Sequence, residues 1–211
     1  MGETLDAARF AQGLTWDAYK AQMTRNRDRL DASEAKVVIN TDDLKFFKSL
    51  KPLHVLSIVE DWCGDVLANA PVLATLAKQC GTLDVRHFLK DQSIDLTEQY
   101  LNHGRFESIP IWVFFDEKWK ELGVFIERPL AVTERREEDR RAVYAGNPAF
   151  GSPGDPADKL PDDVRGTLMA ALQKARADGK PWADRQVVMT LRDILARAPQ
   201  QGERERDSGN H

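Results

Sequence analysis

The segment Val59-Glu60-Asp61-Trp62-Cys63-Gly64-Asp65-Val66 concentrates the chemistry of this chain. An aliphatic run ends there, a Trp-Cys-Gly turn follows, and a helix-forming stretch begins. A thiol at a helix N-terminus sits among unpaired backbone N–H groups and the positive end of the helix dipole, and both favour thiolate over thiol. Thiolate is the form that attacks disulfides and peroxides. Glu60, Asp61 and Asp65 work in the opposite direction, because negative charge beside a thiol raises its pKa. The helix end contributes about 0.3–1 kcal/mol when exposed and up to about 2 when partly buried. Nearby carboxylates contribute terms of similar size and opposite sign, so the sequence leaves the balance open. Asp65 has a structural role as well, since an acid in a first turn stabilises its helix.

Other residue types offer less. Cys80 lies seventeen residues beyond Cys63, at the far end of the same predicted helix. At about 1.5 Å rise per residue the two are roughly 25 Å apart, whereas a disulfide needs Cα atoms within about 7 Å. Cys80 is expected to be a small apolar or surface-near residue without a chemical role. His54 and His87 fall on predicted strands, His103 near a helix end and His211 at the end of the chain. With two distant cysteines they form no metal-ligand spacing, and no metal or cofactor is expected. Dinucleotide, phosphate-loop and Gly-x-Ser-x-Gly motifs are absent.

The elements that must position Cys63 follow from periodicity. Leu53 to Val59 reads as a buried strand, Gly64 to Gln79 as a helix kinked at Pro71 and stopped by Gly81, and Leu83 to Leu89 as a second strand. Asp95 to Leu101 reads as a short helix, and Ile111–Phe115 and Leu122–Ile126 as two strands joined by a hairpin. Upstream, Leu14 to Leu30 predicts one amphipathic helix with Thr15 able to cap it. A further helix through Leu44, Phe47 and Leu50 is expected to open at Thr41-Asp42-Asp43. Glu134 to Arg141 is eight consecutive charges, four of each sign, and reads as a solvated helix. Residues 146–161 contain seven Gly or Pro and read as a connector. Two amphipathic helices, 164–177 and 182–195, follow, then a tail expected to be disordered over 198–211.

The chain has 211 residues, 42% of them hydrophobic and 30% charged, enough for a substantial core. Thirty basic residues against thirty-four acidic ones give a net charge of −4, which argues against nucleic acid as the main partner. No apolar stretch approaches a membrane span, no secretory signal is visible, and two cysteines do not make a disulfide scaffold. These features predict a cytoplasmic protein with reduced thiols and no membrane partner.

At the Trp-Cys-Gly turn the chain resembles the thioredoxin superfamily. Trp62-Cys63-Gly64 matches the start of the Trp-Cys-Gly-Pro-Cys signature. Pro71 falls where thioredoxins kink the active-site helix, and Ser108-Ile109-Pro110 precedes an apolar strand as the cis-proline does in that fold. The chain looks most like a bacterial group with a Glu-Asp-Trp-Cys-Gly-Asp core. The resemblance implies an α/β thioredoxin-like fold, a mixed central sheet flanked by helices, over residues 35–128. An N-terminal helical extension would occupy 1–34 and a C-terminal one 129–197. It implies Cys63 as the catalytic thiol, with Trp62, Gly64, Asp65, Ile109 and Pro110 binding substrate or shaping the site.

The departures from that pattern are as informative. Val66 stands where the second cysteine would be, so no local thiol can resolve a mixed disulfide. Ser57 aligns with the buried acid of thioredoxins and cannot act as a base at neutral pH. The expectation is thiol–disulfide exchange through a mixed disulfide on Cys63, resolved by an external protein or low-molecular-weight thiol. The alternative is a non-catalytic peptide- or protein-binding module. An iron–sulfur carrier of the monothiol-glutaredoxin type is disfavoured, because the Cys-Gly-Phe-Ser signature is missing.

Overall fold

The computed structural model describes residues 5–207, with side chains through 198. Four strands form one mixed sheet in the order β2-β1-β3-β4: β1 (Leu53–Val59), β2 (Leu83–Leu89), β3 (Ile111–Phe115) and β4 (Glu121–Ile126). β1 and β2 run parallel, joined by the crossover helix α5 (Gly64–Cys80); β3 is antiparallel to both β1 and β4. Six of seven β1 residues and all five of β3 are buried, which is why both read as unbroken apolar runs. Their side chains alternate between two clusters. Leu56, Ile58, Ile111, Val113 and Phe115 enter one, with Tyr19 and Leu30; Leu53, Val55, Trp112 and Phe114 enter the other, with Phe47, Leu73 and Leu76.

The N-terminal region carries α1 (Ala7–Phe10), α2 (Trp16–Gln22), α3 (Arg27–Glu34) and α4 (Thr41–Lys48). The single helix predicted over 14–30 is two helices. Thr15 caps the first, its side chain accepting from the Ala18 N–H, and the chain breaks at Asn26, which sits at φ 59°. Asn26 holds that conformation by donating from Nδ2 to the Asp61 carbonyl at 2.9 Å, a partner too distant in sequence to be read from local pattern. For α4 the cap is Asn40, one residue before the expected start; its Oδ1 accepts from the Asp43 N–H at 2.8 Å. Gly13 lets the N-terminal segment lie against β2: a Cβ there would come 2.7 Å from Arg86 Cβ, and Leu14 bridges to His87.

After β2 come a 3-10 turn at Lys90–Gln92, α6 (Ile94–Thr97) and a second 3-10 turn at Glu98–Tyr100, in place of the one helix expected over 95–101. Beyond the sheet lie α7 (Leu130–Ala145) and α8 (Asp162–Asp207). The connector between them contains only two 3-10 turns, Pro148–Phe150 and Ala157–Lys159. The two helices expected at 164–177 and 182–195 are one continuous helix. Gly179 and Pro181 do not break it, because packing on both sides outweighs their poor helix propensity. Leu168 is buried with Tyr144 and Phe150, while Val187, Val188, Leu191 and Leu195 are buried against Phe47, Trp112 and Phe125. The helix runs to Asp207, into the stretch expected to be a disordered tail; residues 208–211 lie outside the described residues. Gly123 of β4 permits the close approach of α8, since a Cβ would meet Ile194 Cγ2 at 2.5 Å. Asp43 of α4 is buried and paired with Arg185 and Arg192 of α8 at 3.3 and 3.0 Å.

Candidate active site

Cys63 is the N-cap residue of α5, at the C-terminal end of β1. Its side chain makes no capping bond within the helix; Sγ instead lies 3.5 Å from the Ile109 carbonyl oxygen, to which the thiol donates. The Ile109–Pro110 peptide bond is cis. Pro110 is tied to the strand end as well, its carbonyl accepting from the Glu127 N–H at 2.8 Å. Sheet and helix thus bring Cys63, Ile109 and Pro110 together from positions 46 residues apart. Trp62 beside them is 46% exposed. A Cβ at Gly64 would meet nothing within 4 Å, so open space lies beside the helix end.

The contest over the thiol is resolved by burial. Cys63 is half-buried, and desolvation pushes its pKa up. The Val66 and Asp65 backbone N–H groups pull it down, Asp65's charge raises it and Arg128 lowers it, but burial prevails. Glu60 and Asp61 prove to be structural. Asp61 accepts from the Thr24 N–H at 2.8 Å, Thr24 Oγ1 at 3.1 Å and the Arg25 N–H at 3.2 Å, which fastens the turn between α2 and α3. Glu60 accepts from the Asp91 N–H at 3.0 Å, and burial lifts its pKa.

Asp65 does more than decorate a first turn. Its carboxylate is bound by Arg128, through Nε at 2.9 Å and through a terminal nitrogen, and by Arg136 at 2.7 Å. Burial pushes its pKa up, but the two guanidiniums outweigh that and hold it below the usual carboxylate range. The sequence did not single out either arginine. Arg136 lies within the charge run read as a solvated face, and only the tertiary fold brings it to a carboxylate 71 residues away.

Behind the thiol, Ser57 fills the position of the expected acid. Its hydroxyl is 3.0 Å from His87 Nδ1 on the neighbouring strand, and both residues are buried. Burial pushes the His87 pKa down to about 3, so the ring is neutral near pH 7. Tyr19 stacks on His87, and its hydroxyl is buried without a hydrogen-bond partner among the described residues. Cys80 is buried at the end of α5, where Thr82 Oγ1 donates to its sulfur at 3.3 Å. No cluster of metal-ligating side chains occurs among the described residues.

A family model described as thioredoxin matches residues 13–140. The chain belongs to the thioredoxin family. The match reaches beyond the expected core at both ends, taking in α2, α3 and most of α7. Among solved structures, a Pseudomonas aeruginosa protein of unknown function is 20% identical, with a TM-score of 0.56 over 81% of this chain and 99% of its own. An HIV epitope-scaffold is 14% identical, with a TM-score of 0.60 over 91% of this chain and 98% of its own. At these identities the likeness is one of fold. No curated protein matches significantly. Among the described residues no helix is long and apolar enough to cross a membrane.

Proposed function

We propose that this thioredoxin-family chain carries out thiol–disulfide exchange through a single reactive thiol, Cys63, in a bacterial group marked by the Glu60-Asp61-Trp62-Cys63-Gly64-Asp65 core. The observation that carries this reading is the placement of the Cys63 sulfur at a helix N-terminus, 3.5 Å from the carbonyl that precedes a cis proline. An incoming disulfide is attacked by the Cys63 thiolate to give a mixed disulfide and a released thiolate. Val66 supplies no second thiol, so an external protein or small-molecule thiol resolves the adduct. Trp62, Gly64 and Asp65 flank the attacking sulfur, and Ile109 and Pro110 present a backbone edge to the substrate.

The test is mass spectrometry of the intact protein after exposure to hydroxyethyl disulfide. The expected result is one mercaptoethanol adduct on Cys63, removed by added thiol. No adduct under conditions that modify a free-cysteine peptide sinks the reading. A second reading, a non-catalytic module that binds extended peptides at the Pro110 edge, draws its support from the raised Cys63 pKa, which keeps the thiol protonated near pH 7.

A further inference from the structure

The surroundings of Asp65 hold more positive charge than the protein neutralises. Four arginines from separate segments converge there: Arg29 of α3, Arg128 after β4, Arg136 of α7 and Arg176 of α8. Two of them are occupied. Arg128 pairs with Asp65 and, at 2.5 Å, with Glu127, and Arg136 pairs with Asp65. Among the described residues Arg29 has only the neutral amide oxygen of Asn26 as a hydrogen-bond partner, at 3.0 Å. Arg176 makes no hydrogen bond or ion pair with a described residue.

The packing explains why Arg176 points to this region. Four residues further along α8, Lys180 reaches the Ala68 carbonyl of α5 at 3.4 Å. Residues four apart share a helix face, so Arg176 lies one turn nearer the N-terminus of α5, beside Asp65. Burial lowers its pKa, and so do the charges of Arg136, Arg128 and Arg29, while the Asp65 carboxylate works in the opposite direction. Like charges held together repel, and Asp65 and Glu127 offset only two of the four. The neighbouring cations are different: Lys174, Lys180 and Arg25 are paired with Asp178, Asp184 and Asp61. The excess is therefore local, amounts to the two charges of Arg29 and Arg176, and borders the thiol through Asp65 and Arg128.

We propose that this surface recognises a low-molecular-weight disulfide that carries carboxylates near its sulfurs, with Arg29 and Arg176 holding the carboxylates while Cys63 attacks. The inference rests on the exchange reading and names its substrate class. Cys63 loses its proton to solvent, and its sulfur forms a bond to one sulfur of the substrate as the substrate's S–S bond breaks. The second sulfur leaves as a thiolate and takes up a proton. An external thiol of a different compound then attacks the substrate-derived sulfur of the mixed disulfide, Cys63 leaves as a thiolate and takes up a proton, and a disulfide joining the two small thiols is released.

The test compares rates for the full-length chain with three disulfides: the dianionic 5,5′-dithiobis(2-nitrobenzoate), neutral 4,4′-dithiodipyridine and cationic cystamine. Each rate is divided by that of a free-cysteine peptide, and the Cys63→Ser protein serves as blank. The expected result is a normalised preference for the dianion of about tenfold, weakened by salt. Arg176→Ala and Arg29→Ala should each lower that preference about threefold or more, with reactivity toward the neutral disulfide and the melting temperature unchanged. A preference equal to that of the peptide, or one indifferent to both substitutions, overturns the proposal while exchange at Cys63 stands. Inertness toward all three disulfides overturns the exchange reading and the proposal with it.

Discussion

Cys63 Sγ and the Ile109 carbonyl oxygen face each other at 3.5 Å across the junction of α5 and β3. A carbonyl oxygen can accept from a thiol but offers nothing to a thiolate. The contact therefore favours the protonated form, in the same direction as the burial that raises the Cys63 pKa. The sulfur is held as a thiol. This arrangement differs from a thiol activated by a lowered pKa, and it sets the first expectation.

Alkylation of Cys63 by iodoacetamide should rise with pH along a single titration whose midpoint lies above 9.0, the ordinary value for this thiol. Asp65→Asn should move the midpoint down. It removes a negative charge next to the sulfur and leaves the Arg128 and Arg136 cations in place. A wild-type midpoint near 7, or an upward move in Asp65→Asn, would contradict the electrostatics described here.

The missing second thiol gives a second expectation. Val66 is fully buried one helical turn from Cys63, and side chains three apart on a helix are neighbours. Val66→Cys should form an intramolecular disulfide on oxidation and reduce insulin well above the wild-type rate in the presence of dithiothreitol. Equal rates for both proteins would show that the resolving thiol does not limit activity.

The strands and the crossover helix were legible in the sequence because each rests on local pattern, whereas the approach of Cys63 to Ile109, 46 residues on, and to Pro110 came only from the resemblance to thioredoxins. The patterns are apolar runs bounded by turn residues, Gly81 as a stop at φ 73°, and a short motif. The rest was set by partners far away in the chain. Asn26 breaks the first long helix because Asp61, 35 residues on, holds it. Pro181 fails to break α8 because buried residues flank it on both sides. Arg128 and Arg136 look like surface charge until folding brings them to Asp65. No periodicity encodes such encounters, so the arginines that pair with Asp65 appear only in three dimensions.

The buried Ser57–His87 pair makes stability depend on acid. The His87 pKa falls from an ordinary 6.5 to about 3 on folding, because burial disfavours the charged ring. Between those values the unfolded chain binds a proton that the folded chain does not. The stabilisation is fully present above pH 6.5 and is lost progressively as pH falls toward 3, by about 1.4 kcal/mol per pH unit at most. Urea midpoints measured from pH 7 to pH 4 should decline, and His87→Gln should flatten that decline. An identical slope in the variant would assign the acid sensitivity to other groups.

The last expectation concerns the docking of α8 on the sheet. Gly123 of β4 lies under Ile194, and a methyl group there would sit 2.5 Å from Ile194 Cγ2. That atom branches from Cβ next to the helix backbone, so it cannot swing aside as the end of a long side chain could. Val187, Val188, Leu191 and Leu195 share the same interface and are buried. Gly123→Ala should therefore push α8 from the sheet and cost about 1–3 kcal/mol, the usual range for overpacking a core. Ile194→Val keeps the branched Cγ2 and should not relieve the clash, whereas Ile194→Ala in the Gly123→Ala background should recover part of the loss. Truncation after Arg128 removes the helix outright and exposes Phe47, Trp112 and Phe125, so it should lower the melting temperature sharply or leave the protein insoluble. A truncated chain that melts like the full-length protein would mean that α8 contributes nothing to the stability of the sheet it covers.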